Sequence, residues 1–385
     1  MSKENYRRLG DYIREVDVRN RDLEVKELLG VSISKEFIPS IANTIGTDMS
    51  SYKVVEPLQF AYGPVTSRNG DKVSIALYTG KGKIIISQAY TVFEVKNQDE
   101  LLPEYLMMWF RRPEFDRYAR FKSHGSAREI FSWEEMCDVF LPIPPIEQQR
   151  KIVTEYEAVS RRIRLNEQTI ARLEETAQAL YHKMFVDGID KENLPEGWRM
   201  GAVCDFGNVI TGKTPSSDYP EDFGIDTPFI TPGDFQNYNK FAIGSERRLS
   251  TMGIERLKNK ILTKGSVLVT CIGSDMGKVV VASEQCITNQ QINSIIVKKE
   301  FYSDYLYYCL LAMRVELKGM ALGSSTMPLL NKSDFEKIPM IIPSDAYLYD
   351  FGKKVSLINK QLILYSEEID KLQKLQSLLL TKMNL

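Results

Sequence analysis

Histidine and cysteine are scarce in this sequence, which holds two histidines and five cysteines among its 385 residues. The number of cysteines is odd and no two of them lie at Cys-x-x-Cys spacing, so neither a disulfide framework nor a zinc site is expected. Free thiols are typical of a reducing compartment, and we therefore expect the protein in the cytoplasm. His182 falls within a helical pattern, whereas His124 lies beside basic residues, where an imidazole could approach a phosphate or a base.

Long apolar runs and a strong net charge are also missing. No uninterrupted apolar stretch approaches ~20 residues, so no membrane span is expected, and the N-terminus lacks the apolar region of a secretory signal. The net charge is −1, which leaves nucleic-acid binding open because such binding depends on a local basic face. Residues 107–128 carry six cations and two acids, a net charge of +4. That segment fits a phosphate-facing surface and a solvated charged surface equally well.

A literal match to the P-loop pattern occurs at residues 207–214, GNVITGKT. A working P-loop needs a strand before it and a helix after it, since the helix N-terminus binds the phosphate. The sequence continues as PSSDYP from Pro215, which predicts a loop instead. We therefore expect no nucleotide binding, although the backbone and hydroxyl donors of this loop could contact DNA phosphates.

A second weak match concerns metal-dependent nucleases, in which an Asp and a later Glu-x-Lys converge on a divalent ion. Asp71, Glu94 and Lys96 fit this short and common pattern. Methyltransferase signatures are missing, since the sequence has neither an Asn-Pro-Pro-aromatic tetrapeptide nor a glycine-rich strand–turn–helix pattern. We expect no metal site and no catalytic residue in this chain, and a nuclease that acts through these three residues is the alternative.

Residues 146–185 form the most regular pattern of the chain. Apolar residues recur in steps of four and three over more than four heptads, with Asn166 as the polar exception. Such a repeat is typical of a helix that packs along its length against a partner helix, here roughly 50 Å long. The predicted seam consists of Ile152, Tyr156, Val159, Ile163, Asn166, Ile170, Leu173, Ala177, Leu180 and Met184.

The same repeat returns 199 residues later, with the polar exception at Gln376. Two seams of equal length on one chain are expected to pair as an antiparallel coiled coil; the alternative is two unrelated amphipathic helices, each packed on its own domain. Asn166 would then fix the register of the pair, or it could lie at a solvated edge. The second seam consists of Phe351, Val355, Ile358, Leu362, Tyr365, Ile369, Leu372, Gln376, Leu379 and Met383.

The globular parts of the chain repeat as well. Glu104-Tyr105-Leu106 corresponds to Asp304-Tyr305-Leu306, so the chain is a tandem duplication of roughly 200 residues. The predicted fold class is α+β, with two similar mixed α/β domains separated by two long helices. The predicted boundaries are 1–145 for the first domain, 146–186 for the central helix, 187–344 for the second domain with its lead-in loop, and 345–385 for the C-terminal helix.

Local patterns predict several elements within this plan. The run EYLMMWF at 104–110 predicts a short buried helix, and the glycines, prolines and polar residues of 186–198 predict a loop. Strands are predicted at 58–63, 73–78, 83–86 and 90–95.

Four short motifs are distributed over these segments. They are Pro142–Gln149 (PIPPIEQQ) before the central helix, Leu194–Trp198 (LPEGW), Thr211–Ser216 (TGKTPS) and Gly323–Thr326 (GSST). Together they resemble the DNA-specificity subunits of type I restriction–modification systems, and the resemblance covers essentially the whole chain. There are two departures: the second long helix begins without Glu-Gln-Gln, and the first domain lacks the Leu-Pro-x-Gly-Trp lead.

The resemblance implies a non-catalytic, DNA-binding subunit. Each globular domain would be a target-recognition domain that reads one half of a split DNA sequence, and the coiled coil would fix the number of base pairs between the halves. The helices would also bind two methyltransferase subunits, which supply S-adenosylmethionine, and restriction subunits that use ATP and magnesium would join them. Double-stranded DNA and these subunits are the expected partners. A coiled-coil adaptor between proteins, without a DNA role, is a further alternative.

Polar and basic loop residues that differ between the two halves are the candidates for DNA contact, because base edges are read by such side chains. In the first domain they are Lys35, Arg68, Asn69, Lys81, Lys83, His124, Ser126 and Arg128. In the second domain they are Lys213, Thr214, Ser216, Lys278, Asn289, Gln290, Gln291, Ser324 and Ser325.

Overall fold

The computed structural model describes residues 6–40, 46–67, 69–124, 129–273, 276–321 and 329–383. The chain divides into two compact units. The first unit holds the chain up to residue 162 together with the C-terminal segment from 372, and the second unit holds residues 163–371. Both long helices continue across the unit boundaries, so each unit contains one mixed α/β domain and a part of each helix.

The first unit combines short strands with the helices that follow them. Its strands are β1 (Tyr6–Arg8), β2 (Ile13–Val16), β3 (Leu29–Val31), β4 (Phe37–Pro39), β5 (Lys53–Val55), β6 (Phe60–Tyr62), β7 (Ile75–Leu77), β8 (Ile84–Ile86), β9 (Thr91–Val95) and β10 (Phe140–Pro142). Its helices are α1 (Pro103–Phe110), α2 (Pro113–Lys122), α3 (Trp133–Cys137) and the first part of α4 (Ile146–Phe185). The four strands predicted from the sequence and α1 are confirmed, whereas α2 and α3 were not predicted.

The core of the first unit lies between an antiparallel sheet and α1. The sheet has the strand order β2-β9-β6-β7. Phe93 of β9 stacks on Phe60 of β6 with ring centroids 4.8 Å apart, and Phe110 of α1 packs edge-on against Phe60 at 5.8 Å. Helix α1 is buried along nearly its whole sequence, which explains why its residues are apolar on all sides.

The second unit also combines short strands with helices. Its strands are β11 (Arg199–Ala202), β12 (Gly207–Thr211), β13 (Phe223–Gly224), β14 (Thr227–Ile230), β15 (Phe241–Ala242), β16 (Arg247–Leu249), β17 (Val267–Thr270), β18 (Val279–Ala282), β19 (Ile287–Thr288), β20 (Ile292–Val297) and β21 (Pro339–Ile342). Its helices are α5 (Val203–Phe206), α6 (Thr251–Arg256), α7 (Tyr302–Ala312), α8 (Arg314–Ala321), α9 (Lys332–Glu336) and most of α10 (Asp345–Lys382).

Two sheets organise the second unit. The larger has the strand order β12-β20-β17-β18-β15, in which only β15 and β18 run parallel. The smaller has the order β13-β16-β14-β19. Strands β17 and β18 are buried throughout, and they therefore read as continuous apolar runs without alternation.

The two units share equivalent strand pairings and even equivalent single hydrogen bonds. Strand β1 pairs with β10, and β11 pairs with β21. The second strand of each pair, β10 or β21, is followed directly by a long helix. The hydroxyl of Tyr105 donates to the carbonyl of Pro142 at 3.1 Å, and the hydroxyl of Tyr305 donates to the carbonyl of Ile341 at 2.6 Å. Each domain thus closes its last strand in the same way.

Helices α4 and α10 lie where the heptad patterns predicted long helices. None of the seam residues is exposed. Val153, Tyr181 and Phe185, which lie beside the seam, are also buried, in the cores of the domains. Within the described residues, no helix combines the length and hydropathy that crossing a bilayer requires.

Each unit taken by itself contains contacts between its two helical parts. In the first unit, Met383 shares a core with Tyr156, and Nε2 of Gln376 donates to Oγ of Ser160 at 2.7 Å. In the second unit, the rings of Phe185 and Phe351 are 5.2 Å apart. These contacts contradict the alternative of two long helices that each serve only a separate domain.

The start of each long helix is fixed by a different polar residue. Gln149 is fully buried; its amide oxygen accepts from the backbone N–H of Leu102 at 2.9 Å, and its Nε2 donates to two backbone carbonyls at 2.8 Å. At the start of α10, where the Glu-Gln-Gln motif is missing, Asp345 accepts from Lys299 and from the hydroxyl of Tyr302. These two bonds lower the pKa of Asp345.

One buried lysine joins the second domain to both long helices. Lys240 is completely buried, and its ammonium contacts Asp304 of α7 at 2.5 Å and Asn359 of α10 at 2.9 Å. Its backbone N–H donates to Glu174 of α4 at 2.9 Å. Burial lowers the pKa of Lys240 and raises the pKa of Glu174. Both groups are therefore held at an electrostatic cost that their hydrogen bonds must offset.

Candidate nucleic-acid interface

Two polar loops of the first domain meet at one edge. The backbone of Ile130 pairs with both Val65 and His124, which brings the loop around Asn69 next to the loop that follows α2. His124 is exposed, and Asn69 is half-buried with its Nδ2 donating to the carbonyl of Val65 at 3.3 Å. The predicted residues Arg68, Ser126 and Arg128 belong to these loops but lie outside the described residues.

Lys81 and Lys83 lie at a different turn, between β7 and β8, and both are exposed. Lys83 forms an ion pair with Glu56 at 2.8 Å, and this contact raises the pKa of Lys83. Among the described residues, no hydrogen bond or ion pair joins this turn to the loops at Asn69 and His124. The loop at Asn69 precedes β7 and the turn at Lys81 follows it, so the two groups of first-domain candidates lie at opposite ends of that strand.

Lys35 is not available to DNA, and its prediction as a contact was wrong. The residue is 5% exposed. The ammonium pairs with Asp116 at 2.8 Å and donates to the carbonyl of Phe110. Burial lowers the pKa of Lys35. The charge is thus used inside the domain, where it connects α1 and α2 to the turn between β3 and β4.

The basic segment 107–128 is largely neutralised by acids that the sequence places elsewhere. Arg120 pairs with Glu129, and Lys122 pairs with Glu135 at 3.2 Å. Arg112 is 2% exposed and stacks on the ring of Trp109 with its guanidinium carbon 4.2 Å from the ring centroid. The structure therefore favours the solvated-surface interpretation of this segment over the phosphate-facing one.

The second domain brings three of its predicted residues together. Oγ1 of Thr214 donates to Oε1 of Gln290 at 2.6 Å, and the backbone N–H of Lys213 donates to the carbonyl of Thr288 at 2.9 Å. Lys213 and Gln290 are exposed. The loop that follows β12 and the turn between β19 and β20 therefore present an ammonium, a hydroxyl and an amide on one surface.

Asn289 and Gln291, on either side of Gln290, stabilise the turn. Asn289 is 8% exposed; its Nδ2 donates to Oε1 of Gln291, and its Oδ1 accepts from the backbone N–H of Gln291, both at 3.1 Å. These bonds hold the turn that displays Gln290. The prediction that Asn289 contacts DNA is therefore wrong, because its amide is already committed and buried.

The remaining second-domain candidates lie on separate segments. Ser216 is exposed two residues after Thr214 and bonds to Asp218 at 3.0 Å. Lys278 is half-buried just before β18, with its backbone N–H donating to Oγ1 of Thr270 at 3.0 Å. Ser324 and Ser325 lie outside the described residues.

The P-loop match lacks the geometry that a nucleotide site needs. Residues Gly207–Thr211 form β12, and the next helical element along the chain is the single 3₁₀ turn Pro220–Asp222. No helix N-terminus therefore follows the glycine and lysine of the motif.

The nuclease alternative is contradicted by the partners of its residues. Glu94 accepts from Arg14 and from Gln59, both at 2.8 Å. The ammonium of Lys96 donates to two backbone carbonyls at 3.0 Å, and Lys298 makes the corresponding pair of bonds in the second domain. Lys96 is thus a framework residue common to both copies, which explains why it recurs where Glu94 does not. Glu94 and Lys96 are therefore both bonded to framework groups of the domain.

Comparison with known proteins settles the family. The family model described as the type I restriction modification DNA specificity domain matches this chain over residues 35–175 and again over 195–373. The chain belongs to the type I restriction–modification DNA specificity family. The double match confirms the tandem duplication and the α+β fold. It also confirms the prediction of a DNA-recognising specificity subunit rather than an enzyme.

Individual relatives of this specificity subunit agree with that assignment. The type I restriction enzyme HindI specificity subunit of Haemophilus influenzae is 28% identical over 370 residues, covering 78% of this chain and 80% of the relative. The MjaIX specificity subunit of Methanocaldococcus jannaschii is 34% identical over 158 residues, covering 40% of this chain and 36% of the relative. A solved S subunit from M. genitalium shares the fold, with a TM-score of 0.62 and 13% identity over 98% of this chain and 95% of that one.

Sequence reasoning missed one part of the second-domain surface. A cleft of about 490 Å³ opens beside Ser216 and is also lined by Ser217, Phe223, Glu246, Arg247 and Arg248. The adjacent arginines were visible as Glu-Arg-Arg in the sequence, but nothing local placed them opposite the loop that holds Thr214. The specificity subunit brings these segments together only through the pairing of β13, β16 and β14.

Proposed function

We propose that this specificity subunit reads a two-part DNA target with a fixed gap, one half through each globular domain. The observation that carries the proposal is a duplicated framework with unlike loops. Lys96 and Lys298 make equivalent bonds, whereas the surfaces differ: the first domain exposes His124, and the second presents the pair formed by Thr214 and Gln290. Two modules built alike but with different surfaces are suited to reading different sequences.

The gap between the half-sites is set by helices α4 and α10, paired as an antiparallel coiled coil. Three contacts support this pairing: Gln376 with Ser160 in the first unit, and Phe351 with Phe185 and Tyr181 in the second. A helix of about 40 residues is roughly 60 Å long, which exceeds one turn of B-DNA, ~34 Å. A paired helix is also stiff, as a device that measures distance must be.

The long helices also provide the docking sites for two modification subunits. Each unit contributes a pair of exposed leucines on α10. Leu357 and Leu364 in the second unit are 66% and 56% exposed, and Leu375 and Leu378 in the first unit are 43% and 60% exposed. Leucines seven or three apart lie on one face of a helix, and exposed apolar faces of this kind mark interaction sites. The modification subunits bring S-adenosylmethionine, and restriction subunits bring ATP and magnesium, so this chain needs no cofactor of its own.

The proposal is tested by mapping methylated adenines. The chain is co-expressed with its modification subunit in a host without DNA methylation, and methylated positions are identified across the genome. We expect a two-part motif with one fixed gap that disappears when this chain is omitted. An active modification subunit that yields no motif, or a single uninterrupted motif, would refute the two-module function.

A matched pair of variants separates the two domains in the same assay. Gln290→Ala removes an exposed amide of the second domain, and His124→Ala removes an exposed imidazole of the first. Gln290→Ala should relax or weaken one half of the motif, and a change caused by His124→Ala should fall on the other half. Equal losses in both halves from either variant would contradict independent reading.

A further inference from the structure

Arg247 is held in a fixed orientation on an aromatic platform. Its guanidinium carbon lies 3.6 Å from the ring centroid of Phe223 and 6.0 Å from that of Phe229. The two phenylalanines pack edge-on against each other at 5.7 Å and share a small core with the fully buried Leu249. The platform is therefore part of the folded core, and it fixes the plane of a side chain that would otherwise sample many rotamers.

The donors of Arg247 are free, unlike those of its neighbours. Arg248 donates to the carbonyls of Ile225 and Asp226 at 3.0 and 2.6 Å, and Arg256 is bound to Asp222 at 2.6 Å. The guanidinium of Arg247 has no hydrogen bond or ion pair with any residue that the structure describes, and the residue is exposed. Five N–H groups in a fixed plane are thus presented to whatever enters the cleft.

The surroundings of Arg247 favour a base edge over a phosphate. The same cleft is lined by Ser216 and Ser217, on the loop that continues from the contact between Thr214 and Gln290. It is also lined by the exposed carboxylate of Glu246. A carboxylate repels a phosphate, whereas it can accept a hydrogen bond from the amino group of cytosine.

We infer that Arg247 is a specificity-determining residue that reads a guanine of the half-site recognised by the second domain. The two edge donors of the guanidinium would bond to O6 and N7 of the base in the major groove, the commonest specific contact between a side chain and a base. The inference rests on the proposed two-part recognition, and it assigns one letter of the target to one residue.

The test maps methylated adenines for the full complex with Arg247→Lys and Arg247→Ala. Lysine keeps the charge but loses the planar fork, so it preserves a phosphate contact and weakens a bidentate guanine contact. We expect both variants to lose the preference for guanine at one position of one half-site, by roughly five- to 150-fold relative to the other bases. The other half-site and the gap should remain as in the wild type.

Lys258→Ala is the matched control, because it removes one exposed cation from the same domain, away from the cleft. It should leave every letter of the motif unchanged. The inference is overturned if the second-domain half-site contains no guanine, or if Arg247→Lys retains full guanine preference. It is also overturned if Arg247→Ala lowers methylation uniformly across all bases, as loss of a phosphate contact would. A wild-type chain without a two-part motif would overturn the proposed function, and this inference with it.

Discussion

At the scale of single residues, the same residue type has opposite uses in this protein. Lys35 and Lys240 are buried cations held by internal acids, whereas Lys213 is exposed on the surface formed by Thr214 and Gln290. In the sequence, all three lysines lie in or near polar loops, so their different burial cannot be recognised there. Their uses differ because the partners of the first two come from 64 and more residues away along the chain.

The network around Lys240 leads to a prediction about stability. Lys240→Met should lower the free energy of unfolding by about 3–5 kcal/mol, because it leaves Asp304 partly buried without a cation. The measurement is urea-induced unfolding of the full-length chain. Adding Asp304→Asn to the same variant should recover part of the loss, since the uncompensated charge is then removed as well.

An exposed pair provides the control for this prediction. Lys299 pairs with Asp345, and their side chains are 45% and 52% exposed. Lys299→Met should therefore cost at most about 1 kcal/mol, as is usual for a solvent-screened pair. Equal losses for the two variants would mean that the burial of Lys240 is not what matters.

At the scale of elements, the long helices carry one polar residue where an apolar one would pack better. Asn166 is 2% exposed, and its Nδ2 has no hydrogen-bond partner among the described residues. A buried amide left in this state costs about 1–3 kcal/mol. In helix pairs, such a residue can persist because it disfavours other registers.

Asn166→Leu should accordingly raise the free energy of unfolding by about 1 kcal/mol, because it removes an unpaired buried amide. Asn359→Leu on the other helix is the contrasting variant. Its amide accepts from Lys240 at 2.9 Å and donates to Asp304 at 2.8 Å, so its loss should destabilise the chain. Urea unfolding of both variants checks the prediction, and a loss of stability for Asn166→Leu would contradict it.

At the scale of the whole molecule, the proposed function implies that the length of the long helices sets the gap between the two half-sites. Shortening both by one facing heptad should shorten the gap by up to about three base pairs, since a heptad rises ~10 Å and a base pair ~3.4 Å. Residues 167–173 and 363–369 are suitable, because the contact of Phe185 with Phe351 places them opposite each other. Deleting only one of the two heptads serves as the control and should impair folding of the helix pair.

Methylation mapping again provides the readout for the double deletion. The letters of both half-sites should be preserved while the gap changes. Altered letters would show that the helices take part in reading the bases, and an unchanged gap would show that something other than the helices sets the distance.

Much of the plan of this protein was determined by the sequence itself. The 3.5-residue apolar repeats determined α4 and α10, because such a repeat can be recognised within the segment itself, whichever helix packs against it. The offset of about 200 residues determined the duplication, and four short motifs were enough to indicate the family. Strands such as β9 followed from local composition in the same way.

Which polar residues face outward was decided only by the tertiary structure. Lys35 reads as a surface residue but is buried, because its partner Asp116 comes from a distant part of the chain. Asn289 is buried as well, at a turn whose backbone N–H donates to the carbonyl of Ile230 in β14. Arg247 gained its platform only when Phe223 was paired beside it in a sheet. Periodic burial is encoded within a few residues, whereas a polar side chain acquires its role from neighbours that only the folded chain supplies.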